Sequence, residues 1–402
     1  MMLSRQECEI LATGRSESLF ADDLNRRQDE LTEKLTGRRV AVIGAAGSIG
    51  AAVVRCLLRY RPARLVLFDL SENNLVELVR DLRSDPAVVL PEDFAALPIG
   101  LGSREFDRYF AEQSRFDYFF NLAAMKHVRS EKDVYCLMRM LDTNVLFLDS
   151  FLGRVPYHFA GVFSVSSDKA ANPANLMGAS KMIMEQVLLS HAPRQPFVTA
   201  RFANVAFSDG SLPWGFLQRL AKRQPLAAPS DIRRYFISHQ EAGELCVLAG
   251  ITGANRDVFF PKMTAGQDEK TFSAIAVKLL EKLDYEPVLF GSEAEARERC
   301  ESLIAQHRWP CCFLPCDTEG EKPLEEFYTA EENADLDALP HLGIIRRDGS
   351  ELDPVALEYF LAFARHAKEE PHITKEDYIR KMSRIVPGLH HIASERILDH
   401  KM

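Results

Sequence analysis

The stretch 166–181, SSDKAANPANLMGASK, gathers side chains that bear on proton transfer: Ser167, Asp168, Lys169, Met177 and Lys181. An ionised Asp accepts protons, a charged Lys donates them, and a Ser hydroxyl does either. Met177 and Lys181 are four residues apart on a helix-prone run, so their side chains share one helix face. Met has no proton to exchange. Any acid–base work in this segment therefore falls to its neighbours Ser167, Asp168 and Lys169, unless the segment is catalytically silent.

A second constellation lies upstream. Residues 40–50, VAVIGAAGSIG, run from an apolar stretch through Gly44, Gly47 and Gly50 into a helix opened by Ser48 and Ile49. Gly44 and Gly47 allow a tight turn and close approach of the backbone to a pyrophosphate. Gly50 lets helix and strand pack closely, and the helix N-terminus favours the phosphate charge. Asp69 ends the next apolar run, where an acidic partner for a ribose 2′-hydroxyl is expected. Its charge repels a 2′-phosphate, and the following Leu70-Ser71-Glu72-Asn73-Asn74 brings no cation, so the pattern predicts NAD over NADP. The competing reading is a glycine turn that serves packing alone.

Both constellations need a scaffold. Apolar β-prone runs at 39–43, 64–69, 116–122, 159–166 and 196–203 alternate with amphipathic stretches near 48–59, 72–83, 103–112, 133–152 and 177–190. This alternation predicts an α/β fold, a Rossmann-like doubly wound parallel sheet. Asp168 and Lys169 would then follow a strand at its carboxyl end, where such sheets hold their ligands. Beyond residue 204 the pattern loosens. We expect 38–204 to form the dinucleotide-binding domain, with 237–258 returning to it. The stretches 205–236 and 259–345 would form a smaller substrate-binding lobe, and 1–37 and 351–402 helical extensions.

Composition narrows the function classes. The 402 residues, 47% of them hydrophobic, suffice to bury a large core. A net charge of −9 gives no electrostatic footing for nucleic acid. No basic and then apolar leader opens the chain and no apolar run is long enough to span a bilayer, so a cytoplasmic protein is expected. The cysteines at 8, 56, 136, 246, 300, 311, 312 and 316 are mostly far apart, and Cys311-Cys312-x3-Cys316 matches no common zinc spacing. Reduced thiols and no metal are expected.

The motifs GAAGSIG (44–50), NLAAMKHV (121–128), TNV (143–145), SSDKAANPANLMGASK, RFANV (201–205) and RRYF (233–236) together resemble the extended short-chain dehydrogenase/reductases. Within these they resemble the nucleotide-sugar 4,6-dehydratases of the polysaccharide-biosynthesis family, such as the UDP-N-acetylglucosamine 4,6-dehydratases. The resemblance covers about residues 38 to 330. Most members carry Tyr at the position of Met177, where the hydroxyl removes the substrate alcohol proton; some carry Met. The implied reaction oxidises C4 of the sugar with NAD, eliminates water across C5 and C6, and returns the hydride to C6.

By this resemblance Asp168 is the acid toward the C6 oxygen and Lys169 the base at C5. The latter would require a depressed Lys169 pKa, through burial or through Lys181. With no Tyr, we expect Asp168 to take the C4 hydroxyl proton first, with Ser167 hydrogen-bonded to the C4 oxygen. Lys181 would hold the nicotinamide ribose, Ala123 would line the cofactor site, and Asn144 would support Lys181 through water. Lys126 and His127 are placed to meet sugar or phosphate, and Asn204, Ser211 and Arg234 match positions that bind the nucleoside diphosphate, with Arg233 toward solvent.

Two departures stand out. Leu101, in IGLGSRE (99–105), replaces the Asp that reads adenine in most relatives, leaving Ser103 as a substitute; Thr318-Glu319 replaces an Arg-Pro before GEKPLEE (320–326). A homo-oligomer is implied, with the two terminal extensions as candidate subunit contacts. A 4-epimerase would need the Tyr and not the Asp-Lys pair. A silent nucleotide-sugar-binding relative would need none of Asp168, Lys169 and Lys181.

Overall fold

The computed structural model describes residues 3–113, 115–127, 131–315, 325–386 and 388–389. Its centre is a nine-stranded sheet. Six strands come early: β1 (Arg39–Ile43), β2 (Arg64–Phe68), β3 (Asp93–Leu97), β4 (Tyr118–Asn121), β5 (Gly161–Val165) and β6 (Phe197–Ala200). The rest of the chain adds β7 (Asn204–Val205), β8 (Leu226–Pro229), β9 (Arg233–Ile237), β10 (Val258–Pro261), β11 (Glu269–Thr271), β12 (Glu286–Leu289), β13 (Arg308–Leu314), β14 (Ala334–Asp335) and β15 (Leu342–Ile345). The main sheet runs β14-β15-β10-β6-β5-β4-β1-β2-β3. The strands from β10 to β3 are parallel, and β15 is antiparallel to both neighbours.

The strand order reverses between β1 and β4, which opens a crevice at their carboxyl ends. Residues of β1, β2 and β5 are apolar in nearly unbroken runs because helices cover both sheet faces. One face packs the helices Ser48–Leu58 and His239–Thr252. The other packs Arg104–Glu112, Phe147–Arg154 and Leu176–His191.

Both extensions are woven into this core. Phe20, Leu31 and Leu35 of the N-terminal segment are buried, and Arg15 grips Glu241 with two guanidinium nitrogens at 3.0 and 2.9 Å. Residues expected to reach another subunit therefore pack on their own chain. The C-terminal helix Pro354–His366 buries Leu357, Phe360, Leu361 and Ala364 in the core beside helix Leu176–His191. Arg365 pairs with Asp149 and Lys368 with Asp142. The last part of that expected extension, 390–402, lies outside the described residues, as do Cys316, Thr318, Glu319 and residues 320–324.

Two expectations about the elements need correction. β3 (DFAAL) was not anticipated: it opens with Asp, carries two Ala and is only half-buried at the sheet edge, so its apolar signal is weak. Residues 259–261, 334–335 and 342–345, assigned to the lobe by the loosened pattern, belong to the main sheet. The smaller sheets are β7-β9-β11 and β8-β13-β12.

Candidate functional site

Gly44 leaves β1 with φ +70°, and a Cβ there would stand 2.7 Å from the Ala123 amide nitrogen. At Gly50 a Cβ would lie 2.0 Å from the Gly44 carbonyl oxygen. Only glycine fits either place. Gly47 caps the helix Ser48–Leu58 without a side-chain hydrogen bond, which leaves the first amides of that helix to an anion. Asp69 braces the turn by accepting from the Ala46 and Ser71 amides at 3.0 and 2.9 Å, with lone pairs to spare. The Ser48 hydroxyl donates to Asp209 Oδ2 at 2.9 Å and accepts from the Asp209 amide at 3.0 Å, tying the turn to the loop after β7. A cradle that a Cβ would fill, at an uncapped helix end beside a carboxylate, fits the pyrophosphate and ribose of a dinucleotide. Ser103, expected to substitute at the adenine, uses its hydroxyl to cap helix Arg104–Glu112 through the Phe106 amide.

Asn144 lies in a π-helical turn, Asp142–Leu146, an irregularity common at functional sites. Its side chain accepts from the Met125 amide at 2.9 Å and donates to the Met125 carbonyl at 3.0 Å and to Ser180 Oγ at 2.9 Å. It thus fixes the loop after β4 against the residue beside Lys181. Lys181 is buried and donates to the Val165 carbonyl at 3.0 Å; burial pulls its pKa down to about 8 against the opposing pull of Glu185. Met177 is buried in the core, and its amide donates to Glu131 Oε1 at 2.8 Å. A Cβ at Gly178 would stand 2.5 Å from the Lys169 carbonyl, so the start of this helix presses on the turn that carries Asp168 and Lys169.

In that turn, Asp168–Ala170, Ser167 accepts from the Lys169 amide at 3.3 Å and donates to Asp168 Oδ1 at 2.8 Å. Lys169 Nζ donates to both Asp168 oxygens, at 3.2 and 3.1 Å. The expectation of a depressed Lys169 is overturned here. Burial does pull it down, but the carboxyls of Asp168 and Glu325 outweigh burial and hold it above the ordinary lysine value. In this state Lys169 is a charged ammonium.

Glu325 was not singled out in the sequence, where it is one of two Glu at the end of GEKPLEE. It is buried, and Oε1 accepts from Asn204 Nδ2 and lies 3.7 Å from Arg234 Nε. Oε2 accepts from the Tyr235 amide at 3.0 Å. Burial, and then the charge of Asp168, raise its pKa well above the usual carboxylate range. No sequence pattern announces this, because the neighbours come from β5, β7 and β9.

Asn204 and Arg234 thus meet at Glu325, within electrostatic reach of Asp168 and Lys169, with Ser167 held on Asp168. Lys126 donates to Ser208 Oγ at 3.4 Å, with burial lowering its pKa against Asp209, and a Cβ at Gly210 would stand 2.8 Å from the His127 ring. Ser211 caps helix Leu212–Ala221 by accepting from the Trp214 amide at 3.3 Å. No group of three or more His, Cys, Asp or Glu is placed to hold a metal among the described residues. No described helix is long and apolar enough to cross a membrane.

A glycine turn at the head of a parallel sheet, a crevice at the strand-order reversal and a helix carrying Met177 and Lys181 beside it define a Rossmann-like protein of the short-chain dehydrogenase/reductase fold. The solved structure of Pen from Bacillus thuringiensis shares this fold, with a TM-score of 0.62, 22% identity, and 77% of this chain and 87% of that one covered. The chain belongs to the polysaccharide biosynthesis protein family, whose model matches residues 40–345. It is 27% identical over 354 residues to the probable polysaccharide biosynthesis protein EpsC of Bacillus subtilis, covering 81% of this chain and 57% of that protein. It is 25% identical over 323 residues to a UDP-glucose 4-epimerase of Rickettsia felis, covering 79% and 85%.

Proposed function

We propose that the protein is an NAD-dependent nucleotide-sugar 4,6-dehydratase that converts UDP-N-acetylglucosamine to the UDP-4-keto-6-deoxy sugar for surface-glycan synthesis. The observation that carries this reading is the Asp168–Lys169 ion pair at the carboxyl end of β5, beside a helix where Met177 supplies no phenol. A dehydratase needs an acid and a base over C5 and C6. A dehydrogenase or epimerase needs only a group for the C4 alcohol.

Gly44, Gly47, Ser48, Ile49, Gly50, Asp69, Ala123, Asn144 and Lys181 would hold NAD, which supplies the hydride acceptor at C4 and the hydride donor at C6. The charges of the pair suggest the order of proton movements. With Lys169 protonated, the Asp168 carboxylate is the acceptor for the C4 hydroxyl proton, and Ser167 hydrogen-bonds the C4 oxygen. Neutralising Asp168 removes the larger of the two charges that hold Lys169 up and so moves Lys169 toward the free amine that burial favours. The ammonium gives its proton to water, which reaches about a third of the side chain. Lys169 then takes the C5 proton, acidified by the 4-ketone, while protonated Asp168 donates to the departing C6 hydroxyl. Lys169 finally returns a proton to C5 and regains from water the proton it first released, which restores the ammonium. Lys126, His127, Asn204, Ser211 and Arg234 would hold the sugar and the nucleoside diphosphate, with the Arg fork suited to pyrophosphate.

Incubating the purified protein with NAD and UDP-N-acetylglucosamine in deuterated water tests this by mass spectrometry. Loss of one water with deuterium gained at C5 is expected. Recovery of every UDP-, GDP-, CDP- and dTDP-linked sugar unchanged would overturn it.

A further inference from the structure

The loop between β7 and helix Leu212–Ala221 touches both ligand sites. Ala206 and Phe207 root it in the cluster that also buries Phe216, Leu226 and Ile275, and the Ala206 amide donates to the Ile237 carbonyl at 2.8 Å. Phe207 stands at φ +55°, in the left-handed region that a bulky residue rarely enters, and its buried ring fixes it there. The turn is closed by the Ser208 amide on the Val205 carbonyl at 3.2 Å and by the Ser211 amide on the Ser208 carbonyl at 2.9 Å.

The tip of this turn is fastened to the loops after β1 and β4. The Ser208 hydroxyl accepts from Lys126 at 3.4 Å, and Gly210, at φ +72°, lies so near the His127 ring that a Cβ would stand 2.8 Å from it. Asp209 exchanges two hydrogen bonds with Ser48: its carboxylate accepts from the hydroxyl at 2.9 Å and its amide donates to the hydroxyl oxygen at 3.0 Å. Ser48 is the first residue of the helix whose uncapped amides are open to an anion. The other end of the loop is Ser211, assigned above to the nucleoside diphosphate.

We propose that residues 206–211 form a clasp between the two sites, with Asp209 as a positioning residue: through Ser48 it ties the glycine turn to the loop that ends at Ser211, so that dinucleotide and nucleoside diphosphate each tighten the binding of the other. The inference rests on the proposed assignment of those two sites. A pyrophosphate on the helix amides stills the glycine turn and, through Ser48 and Asp209, the loop. A diphosphate arriving at Ser211 then has less left to order, and the same holds in the reverse sequence. The Asp209 charge acts separately, by repelling each diphosphate taken singly, so the ratio of affinities with and without the second ligand isolates the clasp.

Isothermal titration calorimetry with NAD and UDP reads that ratio without turnover. In the native protein each ligand should tighten the other by about fivefold or more, equally in both orders, and a factor below about two would overturn the proposal. Asp209→Ala should lose the coupling. Asp209→Asn sheds the same charge but keeps an acceptor and the backbone amide for Ser48, and should retain it. Undiminished coupling in Asp209→Ala would make the contact idle, and its loss in Asp209→Asn would assign the effect to charge; either overturns the clasp. Should Asp209→Ala not fold, Ser48→Ala breaks the same contact from the other side, and undiminished coupling there would overturn the proposal as well. Coupled binding without dehydration of any sugar nucleotide would leave the clasp standing and strike the proposed reaction. Dehydration without coupling would strike the clasp alone, and failure of NAD or UDP to bind in either order would strike both.

Discussion

Two buried clusters of four charges, Glu185, Glu332, Arg201 and Arg347 in one and Asp168, Glu325, Lys169 and Arg234 in the other, carry the same formal charges and behave in opposite ways. In the first, Arg201 forks onto Glu185 at 2.9 and 3.2 Å and onto Glu332 at 2.7 and 2.8 Å. Arg347 reaches the same carboxylates at 2.7 and 3.1 Å, and Ser166 donates to Glu185 at 2.6 Å. Burial alone would raise Glu185, but these guanidinium groups bring it down to about 2. In the second cluster, Arg234 Nε lies 3.7 Å from Glu325, and burial, and then the charge of Asp168, push the Glu325 carboxyl up. Dense, forked hydrogen-bonded pairing of this kind locks charges in place, whereas sparser pairing leaves protons freer to move. Glu185 lies one helical turn beyond Lys181, so the locked cluster holds the helix on which the reactive one depends.

The contrast breaks if the locked cluster proves dispensable. Arg201→Met leaves two buried carboxylates to share Arg347, and we expect a loss of about 3–5 kcal/mol in urea unfolding; a loss below ~1 kcal/mol would erase the distinction. In the reactive cluster the cost should fall on turnover. Asp168→Asn is expected to lower kcat by about 10²–10⁴-fold while unfolding free energy changes by no more than ~1 kcal/mol. An equally large stability loss would make Asp168 a structural residue.

Acid sharpens the comparison through opposite signs. Glu185 has a folded pKa depressed from 4.5 to about 2, so its stabilisation is complete above the unfolded value and is lost as pH falls through that window. That loss is on the order of 3 kcal/mol. A Glu185→Gln variant should lack this part of the acid dependence in thermal melts. Glu325 has a raised folded pKa and so destabilises the fold as pH rises above the unfolded value; Glu325→Gln should gain stability over the native protein with rising pH. The smallest effect is expected at Met177. Met177→Tyr buries a hydroxyl in the apolar core and should cost about 1–3 kcal/mol, with no gain in sugar-nucleotide turnover.

Much of the scaffold was legible because it rests on local patterns. The runs RVAVI and RLVLF, the glycine spacing at 44–50 and the turn after β5 each declare themselves within a dozen residues. What escaped notice depends on distant parts of the chain. β15 looks like one more short element of the looser half, yet pairs with β10 across more than eighty residues of chain. Glu325 gains its meaning from Asn204, Arg234 and Asp168, and it adds to the pull of Asp168 that raises Lys169 against burial. Proximity to Asp168 was visible in the sequence; the balance between burial and two carboxyls was not.

The Arg201 network also has a consequence for how the chain is made. Glu185 and Arg201 leave the ribosome long before Glu332 and Arg347, the residues that complete their pairing. Until then the nascent protein carries one ion pair without the second pair that surrounds it, beside an unfinished sheet with β14 and β15 still absent. Closure of the sheet and completion of the four-charge network thus both wait on residues 332–347, made late in synthesis, and both depend on contacts far apart in sequence.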